Sequence, residues 1–352
     1  MKIKLFRPIF LLFAAPFSFF WEWIYVIRRF AYKHNILRSE EFQIPILSVG
    51  NIVFGGSGKT PFTLWISELI ESKQKKVMIL SRGYKGKLEN GRGLLSGNRK
   101  LGLDPVDYGD EPLLLKKRLK NASIVVGKKR SENLAYYFDS ENPDVVLLDD
   151  GHQHHKLRRD LNIVLFDSLM EIDRYKVAPR GYLREGLSAL RDADIIIFGR
   201  CDQVSEKKLK VLRDMIKSHT NPKTLFGNIY YRSSGIFNRN HIKVMNLDDL
   251  RGRNIICIAG IASPVSFFNQ FGPFEVNIVE KIVFPDHHYF KADEINPILK
   301  RAEESQALVI TTEKDMVKMR RIISGDKVLY LGIEVHFAKG EEEITNKIMT
   351  VI

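Results

Sequence analysis

From residue 9 to residue 21 the chain runs IFLLFAAPFSFFW without a charge, and after Glu22 it resumes as WIYVI. A bilayer-spanning helix needs about 20 apolar residues, and this run is interrupted by Pro8, Pro16 and Glu22. It reads as a marginal span or an interfacial helix, with Trp21, Trp23 and Tyr25 beside Arg28 and Arg29 as a headgroup-level anchor. Lys2, Lys4 and Arg7 flank its other end. No small-residue cleavage site follows the apolar run, which argues against a secretion signal.

Beyond residue 35 the pattern changes. Uninterrupted apolar runs at 44–49, 77–80, 145–148, 163–166 and 195–198 have the length and lack of alternation of strands buried on both faces. Helical spacing appears after Thr60, where Phe62, Trp65, Ile66 and Leu69 share a stripe and Pro61 is tolerated in the first turn. The fold class expected is α/β, a parallel sheet flanked by helices. Residues 206–218 predict a Lys-rich surface helix, 225–231 a strand and 238–252 a polar connection. Strands at 255–259, 308–311 and 328–331, with a helix whose stripe is Ile295, Ile298, Leu299 and Ala302, predict a smaller second α/β unit. The organisation expected is a membrane-associating helix over 1–35, a core domain over 36–235 and a smaller C-terminal domain over 236–352.

Composition narrows the partners. At 352 residues the chain has room for two domains. Its 55 Lys and Arg against 42 Asp and Glu give a formal net charge of +13, which favours anionic partners: phosphorylated substrates, acidic headgroups or nucleic acid. Nucleic acid is the weakest of these, because the basic residues are spread along the chain rather than interleaved with aromatics in a module. The two cysteines, Cys201 and Cys257, form no C-x-x-C pair, so a disulfide framework is not expected.

The run at 44–49 leads into Gly50-Asn51-Ile52-Val53-Phe54-Gly55-Gly56-Ser57-Gly58-Lys59-Thr60 and then Pro61. A glycine-rich turn lets consecutive backbone N–H groups approach phosphates at a helix N-terminus. Residues 54–61 are therefore the expected nucleotide-binding loop of a P-loop NTPase-like sheet, with Lys59 on the terminal phosphates and Thr60 on Mg²⁺. Strict G-x-x-x-x-G-K-T spacing calls for glycine at 53, where Val53 stands. The 145–148 run ends in Asp149 and Asp150, which suit Mg²⁺ or its water shell at a strand carboxyl end. His152, His154 and His155 follow; they fit hydrogen bonding in a loop near the nucleotide, or, in an alternative reading, the metal cluster of a P-loop metallochaperone-type GTPase. Gly109-Asp110-Glu111-Pro112 precedes a helical pattern at 113–119 that its carboxylates could cap. Phe284-Pro285-Asp286-His287-His288-Tyr289 lies in the second unit, where a polar turn is the plainer reading.

GGSGKTP (55–61), SRGYKG (81–86), GDEP (109–112), DDGHQHHKLRRD (149–160), PRGYLRE (179–185), AGIASP (259–264), FPDHHYF (284–290) and TTEKD (311–315) together resemble the tetraacyldisaccharide 4′-kinases of lipid A synthesis. Two departures are His152, where that family usually has Phe, and Ser263, where Asn is common. The resemblance implies transfer of the ATP γ-phosphate, with Mg²⁺, to the 4′-hydroxyl of an acylated glucosamine disaccharide 1-phosphate. It implies Asp110 as the base tuned by His287, Glu111 near the metal with Thr60 and Asp149, and Arg184 and Glu185 as nucleotide-side contacts. It further implies a monomer at the cytoplasmic face of the bacterial inner membrane, held to anionic headgroups and the acylated substrate. Because Asp110 and His287 fall in different predicted domains, closure over substrate is expected to assemble them.

Overall fold

A computed structural model describes residues 3–56, 58–97 and 104–352, with residues 3–13 described by their backbone alone. Ser57 and Lys2 lie outside the described residues, as do the side chains of Lys4 and Arg7. The chain folds as two compact units, one of Met1–Ser81, Lys129–Tyr230 and Phe337–Ile352, the other of Arg82–Lys128 and Tyr231–His336. This differs from the contiguous division at 235/236. Residues 82–128 leave the expected core to join the second unit, and 337–352 return to the first.

In the first unit the apolar runs form a parallel sheet. Its order is residues 225–228, Ile195–Gly199, Leu161–Asp167, Ile46–Gly50, Val145–Asp149 and Val77–Ser81. Every residue of Ile46–Gly50, Val77–Ser81, Val145–Asp149 and Ile195–Gly199 is buried, which is why these runs carry no polar alternation. The helix Lys59–Ser72 buries Phe62, Ile66 and Ile70. The helix Glu206–Lys217 buries Leu212 and Ile216 in the cluster that holds Val164, Phe166, Ile196 and Phe198. Ile46–Gly50 sits where the strand order reverses, between Leu161–Asp167 and Val145–Asp149. In open α/β sheets, ligands bind outside the strand carboxyl ends at such a point.

The N-terminal helix, Ile3–Lys33, rests on the first unit through a narrow face. Ala14 and Ser18 are buried, Trp21 Nε1 donates to the Arg184 carbonyl at 2.9 Å, and the Arg29 guanidinium meets Glu185 and Ser188 at 2.7 Å each. Phe17, Phe19, Phe20, Trp23, Ile27 and Phe30 point away, each 51–70% exposed. Among the described residues no helix is long and apolar enough to cross a membrane.

In the second unit Asn254–Ala259 lies between Asn277–Val283 and Leu308–Thr312, and Val328–Lys339 follows, all parallel. Ile255, Cys257 and Ala259 join one apolar cluster while Ile256 and Ile258 join the other, as a period of two requires of a strand covered on both faces. The helix Ala292–Glu304 buries the expected Ile295, Ile298 and Ala302. Residues 238–252 are more than a polar connection, since they contain the short strand Lys243–Met245 and a turn that buries Leu250. Asn277–Val283 alternates between exposed and half-buried residues, but Val279 and Val283 stand on the exposed face, so its hydropathy does not alternate with its burial and the strand was not legible. The chain reverses direction once more in an antiparallel pairing of Gly93–Leu95 with Ser123–Val126.

Candidate functional site

Two groups of charged side chains collect the residues singled out by sequence, one in each unit. In the first, parallel pairing sets Val49 opposite Asp149, so the strand feeding the glycine loop and the strand carrying the two aspartates end at the same level. Lys59 Nζ lies 3.4 Å from Asp150 Oδ1, and Arg184 donates to Asp150 Oδ2 at 2.9 Å. Arg130 donates to the Asp149 and Asp150 carbonyls at 2.8 and 3.1 Å and so fixes the turn in which Asp150 adopts φ 51°. Burial pushes the Asp150 carboxyl up, but Lys59, Arg184 and Arg130 outweigh it and hold it well below the usual carboxylate range. Asp149 accepts from the Ser81 hydroxyl at 3.1 Å and approaches that of Thr63 at 3.5 Å.

The loop itself accommodates Val53 without a glycine there. Val53 is buried and bridges Leu183; Phe54 N donates to the Tyr182 carbonyl at 2.8 Å, and Arg184 N to the Ile52 carbonyl at 2.7 Å. The 182–184 segment thus splints the loop, and the left-handed turns fall to Gly55, φ 104°, and Gly58, φ 75°. The same splint brings the Arg184 guanidinium over the Phe54 ring at 5.6 Å. Glu185, the next residue, is fully buried and taken up by Arg29 and by Gln153 Nε2 at 2.7 Å.

Sequence reasoning missed Arg200. Following the Ile195–Gly199 strand in a left-handed conformation, it donates to both Asp167 oxygens, at 2.9 and 2.5 Å, and to the Gly56 carbonyl at 3.1 Å. It ties the glycine loop to a neighbouring strand end. Only its position just after a buried strand could have flagged it.

The three histidines after Asp150 do not converge. His152 is buried against Asn162, its Nδ1 within 3.3 Å of the amide, and His155 Nδ1 accepts from Arg159 at 3.1 Å. Burial, reinforced by Arg130 and Arg159, pushes His154 down to about 3, and burial with Arg159 pushes His155 down to about 2; burial also lowers His152. All three are neutral near pH 7. Among the described residues no group of three or more His, Cys, Asp or Glu could hold a metal ion, so the metallochaperone alternative has no cluster to rest on.

In the second unit, Gly109 at φ 84° starts the helix Asp110–Arg118 and places Asp110 in its first turn. A Cβ at Gly109 would lie 3.2 Å from the Tyr84 carbonyl oxygen, so this approach requires glycine twice over. Asp110 Oδ1 accepts from the adjacent Glu111 N–H at 2.9 Å, but the N-cap position is Gly109 and no side chain caps this helix, so the capping role expected of these carboxylates is not filled. Its carboxylate also faces His287 Nδ1, at 3.0 and 3.2 Å. Both residues belong to one compact unit and already touch, which overturns the expectation that domain closure brings them together. Burial pushes the Asp110 carboxyl up, yet the His287 hydrogen bond with Lys314 and Lys318 holds it at about 2. Tyr84, Lys85, His287, Tyr289 and Lys318 line a shallow depression around Asp110.

Lys314 and Lys318, one turn apart on the helix Glu313–Met319, were also missed. Thr312 caps that helix, accepting from Asp315 N at 3.1 Å while donating to Asp315 Oδ2, a contribution of about 1 kcal/mol. Lys318 Nζ pairs with Asp315 at 2.7 Å. Lys314 Nζ pairs with Glu111 at 3.3 Å; burial would lower its pKa, but Glu111, Asp110 and Asp286 raise it above the ordinary lysine value. Glu111, expected beside a metal, is thus neutralised by a lysine of its own unit. A lysine pair at i, i+4 after a buried strand and a threonine cap was the available signal in TTEKD and the MVK that follows it.

Comparison with known proteins gives consistent results. The family model described as tetraacyldisaccharide-1-P 4′-kinase, LpxK, matches residues 10–352. A tetraacyldisaccharide 4′-kinase of Pelobacter propionicus is 34% identical over 87% of this chain and 82% of its own length. One of Flavobacterium psychrophilum is 31% identical over 96% and 95%. Among solved structures, an LpxK of Aquifex aeolicus in complex with ATP aligns with a TM-score of 0.76 at 28% identity, covering 96% of this chain and 98% of that one.

Proposed function

Because the chain belongs to the tetraacyldisaccharide-1-P 4′-kinase family, we propose that it transfers the γ-phosphate of ATP to the 4′-hydroxyl of a tetraacyl glucosamine disaccharide 1-phosphate. The observation that carries this reading is Lys59 at 3.4 Å from Asp150, beside a strand pairing that levels Val49 with Asp149. Phosphoryl transfer needs little beyond positioning and charge neutralisation. The backbone of Gly55, Gly56 and Gly58 approaches the phosphates, Lys59 leaves Asp150 for the terminal phosphate oxygens, and Arg184, stacked on Phe54, adds a second cation. Arg200 keeps the loop from moving by gripping the Gly56 carbonyl.

The Thr60 hydroxyl and the Asp149 carboxylate are hard oxygen donors, the kind Mg²⁺ takes in ones and twos while keeping phosphates and waters for its other positions. Bound there, Mg²⁺ would neutralise charge on the β- and γ-phosphates. Glu111 is left out of this set because Lys314 engages it.

In the second unit Asp110 accepts the proton of the sugar hydroxyl, and His287 orients its carboxylate. Burial raises the Asp110 carboxyl but His287, Lys314 and Lys318 lower it by more, so it is ionised at neutral pH and can accept the alcohol's hydrogen bond. The exposed aromatic face of the N-terminal helix lies in the headgroup layer of the cytoplasmic leaflet, where acylated substrate is found, and the +13 charge favours anionic lipid. The deciding assay is phosphate transfer from γ-labelled ATP with Mg²⁺ to the disaccharide 1-phosphate in detergent. Lys59→Ala is expected to reduce it at least about a hundredfold, and no labelled glycolipid with the unaltered protein would refute the reading.

A further inference from the structure

The Asp110–His287 contact leaves open which imidazole nitrogen carries the proton, and the answer lies on the other side of the ring. Lys314 Nζ stands 3.4 Å from His287 Nε2, 3.3 Å from Glu111 Oε1, 3.6 Å from Asp286 Oδ1 and 3.7 Å from Asp110 Oδ2. Four partners converge on one ammonium. An ammonium has three donors and no lone pair, so a ring nitrogen hydrogen-bonded to it can only accept, and Nε2 is the second nearest of the four partners. That makes Nε2 the bare nitrogen and Nδ1–H the donor to Asp110 at 3.0 Å.

The next neighbour of Nε2 is Asp286 Oδ2 at 3.7 Å, a carboxylate that only accepts. Were it to dominate, the proton would sit on Nε2, and a bare Nδ1 would confront the Asp110 carboxylate lone pair to lone pair. His287 also adopts φ 61°, a left-handed conformation that a non-glycine residue keeps only when its surroundings hold it. The Tyr84 ring, edge-on at 5.3 Å, closes off one side of the imidazole without offering a hydrogen-bonding atom to either nitrogen.

We propose that Lys314 is a positioning residue that fixes His287 in the Nδ1–H tautomer. In that state the imidazole donates one hydrogen bond to Asp110 and the Glu111 N–H donates another. The remaining carboxylate lone pairs are left for the substrate alcohol, and the ring offers no competing acceptor on that side. Lys318 does not share the role, because its ammonium is spent on Asp315 at 2.7 Å and the Gly260 carbonyl at 3.4 Å. Arginine at 314 would keep a cationic N–H donor toward Nε2, whereas methionine would keep the bulk and lose the donor.

The inference rests on the reading of Asp110 as the base, and the test separates the two. Two-bond proton–nitrogen correlation spectra of ¹⁵N-histidine-labelled protein, with His287 assigned by His287→Gln, report its tautomer without any assay of turnover. The unaltered protein is expected to show Nδ1–H, Lys314→Met to shift toward Nε2–H, and Lys314→Arg to retain Nδ1–H. In parallel, Lys314→Met is expected to lower kcat roughly ten- to hundredfold with KM for ATP unchanged, and Lys314→Arg to recover most of it. An Nε2–H tautomer in the unaltered protein overturns the proposal even if the methionine variant fails to fold. So does a methionine variant that keeps both the tautomer and kcat. Loss of glycolipid transfer by the unaltered protein would instead refute the kinase reading and leave the tautomer result standing.

Discussion

Asp110 accepts the Glu111 N–H in the first turn of its helix and, in the proposed reaction, acts as a base, and one isosteric change separates the two. Asparagine can still accept the Glu111 N–H through its amide oxygen, so Asp110→Asn should fold. It cannot take a proton, and kcat is expected to fall by about 10²- to 10⁴-fold while calorimetric ATP affinity stays the same, because the groups proposed to bind the nucleotide lie on other residues. Arg200 makes the complementary case. Its guanidinium is nine-tenths buried between Asp167 and the Gly56 carbonyl. Removing it leaves a carboxylate without its cation and a loop without its tether. Arg200→Ala is expected to cost roughly 3 kcal/mol in denaturant unfolding and to lower kcat/KM for ATP by up to about a hundredfold, since a displacement near 1 Å suffices for that. An unchanged kcat/KM would show that the loop holds its shape without the tether.

At the scale of elements, the N-terminal helix has two faces with opposite duties. The face toward the protein carries Arg29, whose partner Glu185 is fully buried. Breaking a buried ion pair from one side leaves an uncompensated charge, so Arg29→Ala is expected to destabilise by about 3–5 kcal/mol. The face toward solvent carries Phe20 and Ile27, more than half exposed. Replacing both by serine should leave unfolding within about 0.5 kcal/mol of the original but weaken co-sedimentation with anionic vesicles and raise KM for vesicle-presented substrate. Equal sedimentation of the two proteins would remove the membrane role from this face. The contrast arises because the described part of the helix buries one narrow face and exposes its aromatic residues on the other.

At the scale of the whole molecule, four histidines are held neutral: His152, His154 and His155 in the first unit, and His241 in the second, where burial and the nearby Lys117 push it down to about 4. Unfolded, each titrates near 6.5. Between these limits the unfolded chain binds more protons than the folded one, so stability rises with pH there and is lost as pH falls below about 6.5. Each fully linked proton contributes about 1.4 kcal/mol per pH unit. Urea unfolding followed from pH 7 to pH 4.5 should show a steep decline before the depressed aspartates, Asp110 and Asp150, begin to titrate. A flat profile over that window would mean the histidines are not buried as found.

What could be read from the chain alone was what neighbouring residues decide. The buried strands announced themselves by uninterrupted apolar runs, and the candidate phosphate loop by glycines at 55, 56 and 58 leading into Lys59 after such a run. Asp149 and Asp150 were legible because they close a strand. Three-dimensional packing decided the rest, since the partners are far apart in sequence: Arg29 and Glu185 by 156 positions, Asp110 and His287 by 177, Lys314 and Glu111 by 203. No local pattern encodes such pairs. The path of the chain into and out of the second unit placed 82–128 with 231–336, and thereby set a carboxylate, an imidazole and a lysine within hydrogen-bonding range. Residue types state which chemistry is available; which groups meet, and which nitrogen carries the proton, depends on distances that exist only once the chain has folded.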